Sequence, residues 1–312
     1  MLLMAREGFA ALLTVAILSS CVFFALRLLP GDPTTLILGD DASALARQQM
    51  RHRLGLDVPL ARQWIGFLWG LVRGDFGESL ARPGLEASTA VAHALVPTAR
   101  LAGLAVAMGA SVGVFVGTCS VGILPPSGRK LVHSGILVFA SLPLLSFGPL
   151  LTWVVAVRFP LVPLPGDPDS GFAGLLFASV LLSVPLGAQV ARVTRASLLD
   201  QSRARYLDVA RSKGAGALRI WLIHALPVAA PPIVVVVAMQ LGALLGGAVV
   251  LERLFERPGL GSLMLEAYRM RDLPVLEASV VASGFLFVTA QAMAQVLLIA
   301  IDPRRGEVGE RA

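Results

Sequence analysis

The hydrophobic positions of the chain fall into long continuous runs, and polar and charged residues separate one run from the next. A helix needs about 20 apolar residues to cross the hydrocarbon core of a bilayer, and six runs meet that length. Because lipid offers no partners to backbone N–H and C=O groups, such runs predict transmembrane helices rather than strands. The six predicted spans are 8–29, 101–124, 134–157, 171–191, 225–251 and 278–301. Proline favours a kink inside a helix, which we expect near Pro143, Pro149 and Pro185.

The composition also indicates a membrane protein. Of the 312 residues, 56% are hydrophobic and only 15% are charged, and the mean hydropathy is +0.77. Soluble domains contain about 25% charged residues, and disordered chains are poor in apolar residues. We therefore exclude an ordinary cytosolic enzyme and a disordered chain, and we expect an all-α polytopic membrane protein. Cys21 and Cys119 lie in apolar runs and indicate neither a disulfide framework nor a metal cluster.

The positive charges are unevenly distributed between the loops. Thirteen Lys and Arg side chains lie in segments that share one side of the membrane with the N-terminus, namely 1–7, 125–133, 192–224 and 302–312. The short loops on the other side, 158–170 and 252–277, hold five. Cytoplasmic loops of membrane proteins contain the excess of Lys and Arg, so we expect both termini inside the cell. The net charge of +6 then reflects topology and not a nucleic-acid partner.

The spans and loops divide the chain into four regions. These are a first span at 1–29, an extracytoplasmic loop at 30–100, the other five spans at 101–301, and a cytoplasmic tail at 302–312. The extracytoplasmic loop is too long for a simple connector. Its pattern predicts a polar helix at 42–54 and an amphipathic helix at 60–73 that contains Trp64 and Trp69. The second helix either lies on the outer membrane surface, where Trp is common, or docks an extracytoplasmic partner.

The cytoplasmic loop 192–224 is rich in Arg and helical in composition. It serves either as a positively charged anchor or as a helical docking element. Residues 208–210 are Asp-Val-Ala, Gly214 follows after three residues, and residues 224–227 are His-Ala-Leu-Pro after nine more. This spacing resembles the signature of bacterial ABC importer permeases, which is E-A-A, three residues, G, nine residues, I, one residue, L-P. Asp, Val and His here replace the signature's Glu, first Ala and Ile. The Gly and the Leu-Pro are retained.

Further stretches agree with a particular branch of that family. They are LLPGDP at 28–33, LGLDVPL at 54–60, GDFGES at 74–79, FERPGLG at 255–261 and RDLPV at 271–275. Over essentially its whole length, the chain resembles the dipeptide, oligopeptide and nickel subfamily of ABC importer permeases.

The resemblance implies a bacterial inner-membrane subunit with six spans. A second, homologous permease would pair with it, two cytoplasmic ATPases would bind beneath, and an extracytoplasmic solute-binding protein would deliver the substrate. The loop 192–224 would couple the permease to the ATPases. The coupling residues that the resemblance indicates are Arg205, Asp208, Val209, Ala210, Arg211, Lys213, Gly214, Leu226 and Pro227.

Three of the coupling residues have a chemistry that suits such a role. Glycine reaches backbone angles that other residues avoid, so Gly214 would permit a turn. Pro227 would lie near the first turn of the fifth span, where a missing N–H costs little. Asp208 would accept hydrogen bonds from an ATPase or cap a helix. Arg205, Arg211 and Lys213 are equally explained as topological charge.

The chain itself shows no signature of ATP hydrolysis or metal binding. No G-x-x-x-x-G-K-[ST] loop occurs, and residues 127–130, Ser-Gly-Arg-Lys, lack the required ending. The four histidines are scattered without metal-ligand spacing. We therefore expect a transport subunit that is not an enzyme and binds no cofactor, with ATP and Mg on its partner subunits.

Polar residues inside the predicted spans are candidates for the translocation path, because they are costly in lipid and often functional. These residues are Gln189, Gln240, Gln291 and Gln295. Single glutamines also join helices by hydrogen bonds, which is the alternative interpretation. The small residues of 241–249 suit close helix packing, including a contact between two permeases.

The substrate is predicted from the resemblance alone. We favour peptides, and a nickel or other metal chelate is the alternative. A stand-alone secondary transporter is disfavoured, because the chain has no detectable internal repeat and no acid within a span for ion coupling. An intramembrane enzyme is disfavoured because no motif with a nucleophile and its partner on adjacent spans stands out.

Overall fold

The computed structural model of the protein describes residues 2–28, 34, 38, 39, 41–53, 55–167, 170–245 and 249–301. Several predictions fall outside these residues: most of the motif at 28–33, the first residue of the motif at 54–60, part of the small-residue run at 241–249, and the tail at 302–312. Apart from an isolated bridge between Glu78 and Glu86, the regular structure of the described residues is helical. The all-α prediction is therefore confirmed.

We number the helices of the described residues in chain order. They are α1 Leu2–Arg27, α2 Ala44–Arg53, α3 Leu60–Arg73, α4 Ala87–Gly122, α5 Pro126–Ser141, α6 Leu144–Thr152, α7 Gly171–Gln201, α8 Arg205–Ser212, α9 Ala217–Arg219, α10 Leu226–Leu245, α11 Val249–Leu254, α12 Leu260–Arg269 and α13 Leu273–Ile301. A π-helical turn, Trp153–Arg158, extends α6, and another, Ile220–Ala225, joins α9 to α10.

Within the described part of the chain, four helical stretches are long and apolar enough to cross a membrane. They are Ala87–Gly122, Gly171–Gln201, Ala217–Leu245 and Leu273–Leu298. A fifth candidate is a bent pair of helices, Pro126–Ser141 and Ser146–Arg158. In α1, residues Leu12–Arg27 form a shorter apolar helix. The predicted count of six spans therefore stays a prediction.

The third predicted span is not one continuous helix. The chain turns by 103° between the two members of the bent pair. Leu142 is extended, with φ −70° and ψ 122°, and Pro143 directly precedes the next helix, α6. Since the ring of a proline disfavours helical geometry in the residue before it, Pro143 ends α5. The kink predicted near Pro143 is thus a break between two helices.

Two other spans are longer than the sequence pattern indicated. Helix α4 begins at Ala87, so it takes in the end of the segment predicted as loop. Helix α7 continues to Gln201, so the first part of the predicted loop 192–224 is helical extension of a span. Hydrophobicity locates the lipid-facing part of a helix, and the polar turns beyond it are left unassigned by that criterion.

Helices α4 and α7 pack closely against each other. Gly109, Gly113 and Gly117 of α4 face the backbone of α7 at four-residue intervals. A Cβ atom on Gly113 would lie 2.6 Å from the carbonyl oxygen of Gly187. Small residues at this spacing allow two membrane helices to approach closely. The pair positions both ends of the bundle, which we call the α3 end and the α8 end after the short helices found there.

Candidate functional site at the α8 end

Helix α8 lies between the end of α7 and the helix that leads into the membrane. It starts after Ala204, which is extended and provides no side-chain cap. Asp208 lies in the first turn, where a carboxylate favours the positive end of the helix dipole. The Asp208 carboxylate accepts a hydrogen bond from Arg211 at 2.7 Å. The helix-capping role considered for Asp208 is therefore not seen at α8, and its carboxylate pairs with Arg211 instead.

A sharp turn at Gly214 ends the helix. Gly214 has φ +81°. Its N–H donates to the carbonyl of Arg211 at 2.9 Å, and the N–H of Ala215 donates to the carbonyl of Ala210 at 3.1 Å. These two bonds form a Schellman motif with glycine in its left-handed position. A Cβ on Gly214 would meet nothing within 4 Å, so the backbone angle, not lack of space, favours glycine here.

The inner face of α8 packs against the bundle. Leu207 is fully buried in a cluster that we call the α8 cluster; its members are Val121, Leu198, Leu207, Ile220, Trp221, Ala225 and Ala229. The Trp221 indole lies against Gly122 so closely that a Cβ there would collide with it. The cluster thus joins α8 to the last turns of α4 and α7.

Two arginines hold the same region from the other side. Arg195 of α7 donates hydrogen bonds to the backbone carbonyl and the hydroxyl of Ser120, and Arg129 of α5 donates to the carbonyl of Val121 at 3.1 Å. Cations near a helix C-terminus satisfy its unpaired carbonyls and favour its dipole. These charges, predicted only as topological markers, also fasten α5 and α7 to the end of α4.

The outer face of α8 is open. Arg205, Asp208, Arg211 and Lys213 are exposed, and Val209 is 55% exposed between them. Tyr206 adds a half-exposed ring whose hydroxyl donates to the Gln201 side chain at 3.4 Å, and partial burial raises the pKa of its phenol. An apolar centre with charges of both signs around it is the usual make-up of a protein-docking surface.

The remaining coupling candidates lie apart from this outer face. Ala210 is half-buried on the inner side, and Leu226 packs against the α8 cluster. Pro227 is exposed and is the second residue of α10, so it lies in the first turn of that α-helix, as expected. The π-helical turn Ile220–Ala225 precedes α10 and continues the helical path back to Ala217.

The four glutamines do not form one group. Gln240 of α10 donates to Gln189 of α7 at 2.9 Å, and both are half-buried. Gln291 is half-buried and Gln295 exposed on α13. For the first pair the structure favours the alternative interpretation of helix-joining hydrogen bonds. Gly242 faces the Phe287 ring of the same chain, so this part of the small-residue run packs within the bundle.

The two tryptophans of α3 have different environments. The Trp64 indole N–H donates to the hydroxyl of Ser20 on α1 at 3.1 Å, and its ring lies 6.1 Å from that of Phe24. Trp64 thus packs against α1 and is not free to dock a partner. Trp69 is 58% exposed, and the Arg73 guanidinium lies 4.7 Å from its ring centroid.

A buried polar network at the α3 end was missed by the sequence interpretation. The Thr98 hydroxyl donates to Glu252 at 2.6 Å and accepts the N–H of Leu260 at 2.8 Å. The other Glu252 oxygen accepts the N–H of Ser262 at 2.8 Å. Glu252 is only 1% exposed, so it caps α12 from inside the bundle. The available signal was an acid directly after an apolar run, because acidic residues within spans are rare and often functional.

Two more carboxylates fasten the loop before α4 and the end of α1. Asp272 accepts the hydroxyl of Ser79 and the N–H groups of Leu80 and Ala81, the first of these at 3.1 Å. Glu277 forms an ion pair with Arg27. Asp272 and Glu277 are both buried, and their partners lie far away in the sequence, so no local pattern pointed to them.

Comparisons with known proteins cover nearly the whole chain. The sequence model of the family described as "Binding-protein-dependent transport system inner membrane component" matches residues 109–307, and that of the N-terminal part of such membrane components matches 1–92. The glutathione transport system permease protein GsiC of Pectobacterium atrosepticum is 33% identical over 296 residues, which cover 93% of this chain and 94% of that protein. GsiC of Escherichia coli K12 is 34% identical with the same coverage.

A solved structure shares the fold. An inward-facing crystal form of the MetNI methionine ABC transporter superposes with a TM-score of 0.56 and 20% identity. The match covers 68% of this chain and 96% of that chain.

Proposed function

Because the chain belongs to the family of binding-protein-dependent transport-system inner membrane components, we propose that it forms half of the translocation pathway of an ATP-driven peptide importer. The chain is an ABC importer permease, a multi-pass protein of the inner membrane. The family implies an extracytoplasmic binding protein and cytoplasmic ATPases as partners. The permease family is a membrane transport component and not an ATPase.

The peptide assignment rests on one observation. Relatives that match the chain over 93% of its length are named as permeases for glutathione, which is itself a small peptide. The binding protein selects the substrate before the permease receives it, and a metal chelate is therefore the alternative substrate of the same kind of complex.

In the proposed complex, a second permease subunit completes the pathway, and one ATPase seats on each permease. ATP and Mg bind the ATPases, and this chain binds neither. Six spans with both termini in the cytoplasm place α8 on the cytoplasmic side and α3 on the outer side. The four long helices, the bent pair and α1 supply the helices for this topology.

The outer face of α8 is the proposed ATPase contact. Its exposed Val209 and surrounding charges offer a docking surface, and Leu207 on the opposite face is buried in the α8 cluster. Closure of the ATPase pair would therefore displace α8 together with the ends of α4 and α7. ATP binding shifts the equilibrium between the two states of the permease only because the ATPases contact α8 differently in each state.

The substrate test uses the complete transporter in proteoliposomes, to which its cognate binding protein is added. We expect glutathione or another short peptide, added with the binding protein, to stimulate ATP hydrolysis and to be taken up. Stimulation by a nickel–histidine chelate with no response to peptides would overturn the peptide assignment and leave the importer assignment intact. Uptake by the permease without ATPases would contradict the ATP-driven mechanism.

A further inference from the structure

Helix α3 exposes an apolar strip that the bundle does not cover. Ile65 is 61% exposed and Val72 is 78% exposed, and none of the residues of α3 is fully buried. At 100° per residue, these two side chains and Leu68 lie on one side of the helix, and Gly66 and Gly70 lie on the other. The helix therefore has an apolar side and a side of small residues.

Contacts with α1 fix the direction in which the apolar side points. The Trp64 indole bonds to Ser20, and the Phe67 ring lies 5.3 Å from the Phe23 ring. Trp64 lies at the edge of α3 next to the strip, and Phe67 lies farther round, toward Gly70. A groove of about 620 Å³ runs between the two helices, lined by apolar residues that include Ile17 and Leu68.

The groove connects the strip with the outer face of α1. On that face, Ile17 is 55% exposed, Phe24 41% and Leu28 84%. In a multi-pass membrane protein such a face meets lipid tails. The strip of α3 borders that face across the groove.

The charges of α3 match a phospholipid surface. The helix contains Arg62 and Arg73 and no acidic residue. Both arginines lie at the polar border of the strip, as does Trp69, over whose ring the Arg73 guanidinium is placed. An amphipathic helix with Trp and arginine at its border and an apolar face is the arrangement of helices that lie in a membrane interface.

The opposite side of α3 has a different neighbour. Gly66 and Gly70 line an open cavity of about 990 Å³, together with Asp75 and Glu78. That mixed, charged side suits water or a soluble partner, so the two sides of the helix face different surroundings.

We propose that α3 lies in the phospholipid headgroup region, with Ile65, Leu68 and Val72 against acyl chains, and that the groove between α1 and α3 holds one of those chains. The helix thereby anchors the long loop to the bilayer surface. The proposed topology assigns it to the outer leaflet.

Spin labelling tests the proposal on the assembled transporter. Cys21 and Cys119 are replaced by Ser, and a nitroxide is attached through Ile65→Cys or, as the matched control, Gly66→Cys. A Cβ on Gly66 would meet nothing within 4 Å, so the control introduces no clash. The vesicles contain phosphatidylethanolamine and phosphatidylglycerol, and the readout is the ratio of collisions with oxygen to collisions with a water-soluble nickel chelate.

We expect that ratio to be several-fold higher at position 65 than at position 66, both before and after the binding protein is added. Equal ratios would overturn the proposal. Protection of position 65 only after the binding protein is added would assign the strip to that protein instead. Val72→Cys provides the same readout if Ile65→Cys does not assemble, and substrate-stimulated ATPase activity reports separately whether each labelled transporter still works.

Discussion

At the residue scale, the turn after α8 depends on a single backbone angle. A non-glycine residue in the left-handed region costs about 1–2 kcal/mol. Gly214 occupies that region in open space, so substitution there changes the backbone preference and leaves the packing alone. The turn sets the direction in which the chain leaves the proposed ATPase contact.

We expect Gly214→Ala to reduce substrate-stimulated ATP hydrolysis by the reconstituted transporter, because the altered turn misplaces α8. Gly214→Asn should retain more activity, since Asn tolerates the left-handed region better. Gly216→Ala is the matched control, because Gly216 has φ −67° and open space around it. Wild-type stimulation in Gly214→Ala would refute the coupling role of the turn.

The hydroxyl of Thr98 permits a second test on a single side chain. Thr98→Val leaves the Leu260 N–H without its acceptor and removes a donor from the buried Glu252 carboxylate. An unsatisfied buried polar group costs about 1–3 kcal/mol. We expect a lower melting temperature in detergent for Thr98→Val, whereas Thr98→Ser keeps the hydroxyl and stays near wild type. Equal melting of the two variants would show that the network contributes little to stability.

The residue scale also shows the limit of prediction from sequence. The turn at Gly214 was predictable, because its partners lie within a few residues and a spacing motif marks it. The network around Glu252 was not, because Thr98 lies 154 residues away and only the fold brings the two together. The same holds for Arg27 and Glu277.

At the scale of elements, the contact between α4 and α7 requires small residues on one face. Gly113→Ala places a Cβ 2.6 Å from a backbone oxygen of α7, which cannot move as a flexible side chain does. Overpacking of this kind costs about 1–3 kcal/mol.

We expect Gly113→Ala to lower the melting temperature of the purified transporter. Gly103→Ala lies on the same helix with nothing within 4 Å of the new Cβ, and the better helix propensity of alanine should leave stability unchanged or raise it. The two substitutions are chemically identical, so a difference in sign isolates the contact with α7. A Gly113→Ala transporter as stable as wild type would contradict it.

Element boundaries were predicted less well than element types. Six apolar runs were found because hydrophobicity is a property of each residue. The break at Pro143 was seen only as a kink, since the turn angle depends on what α6 packs against. The glycines at 109, 113 and 117 were present in the sequence as a four-residue repeat, but their partner helix could not be inferred without the fold.

At the scale of the whole molecule, the proposed topology places α3 and α8 on opposite sides of the membrane. We expect a membrane-impermeant maleimide to label Gly66→Cys in intact cells stripped of their outer membrane, and to label Ser212→Cys only after the cells are opened. Both positions are exposed, and both tests use a background without native cysteines. Labelling of Ser212→Cys in unopened cells would contradict the proposed topology.

Helix α4 connects the two ends of the molecule as a lever. Trp221 lies against its last residue, Gly122, and Thr98 in its first half belongs to the Glu252 network. At 1.5 Å per residue, these points are about 36 Å apart. A tilt of about 10° about the middle would move each end by about 3 Å in opposite directions. A small displacement of α8 would thus move the cap of α12 in the opposite direction. No flexible joint between α8 and α12 is required for this movement.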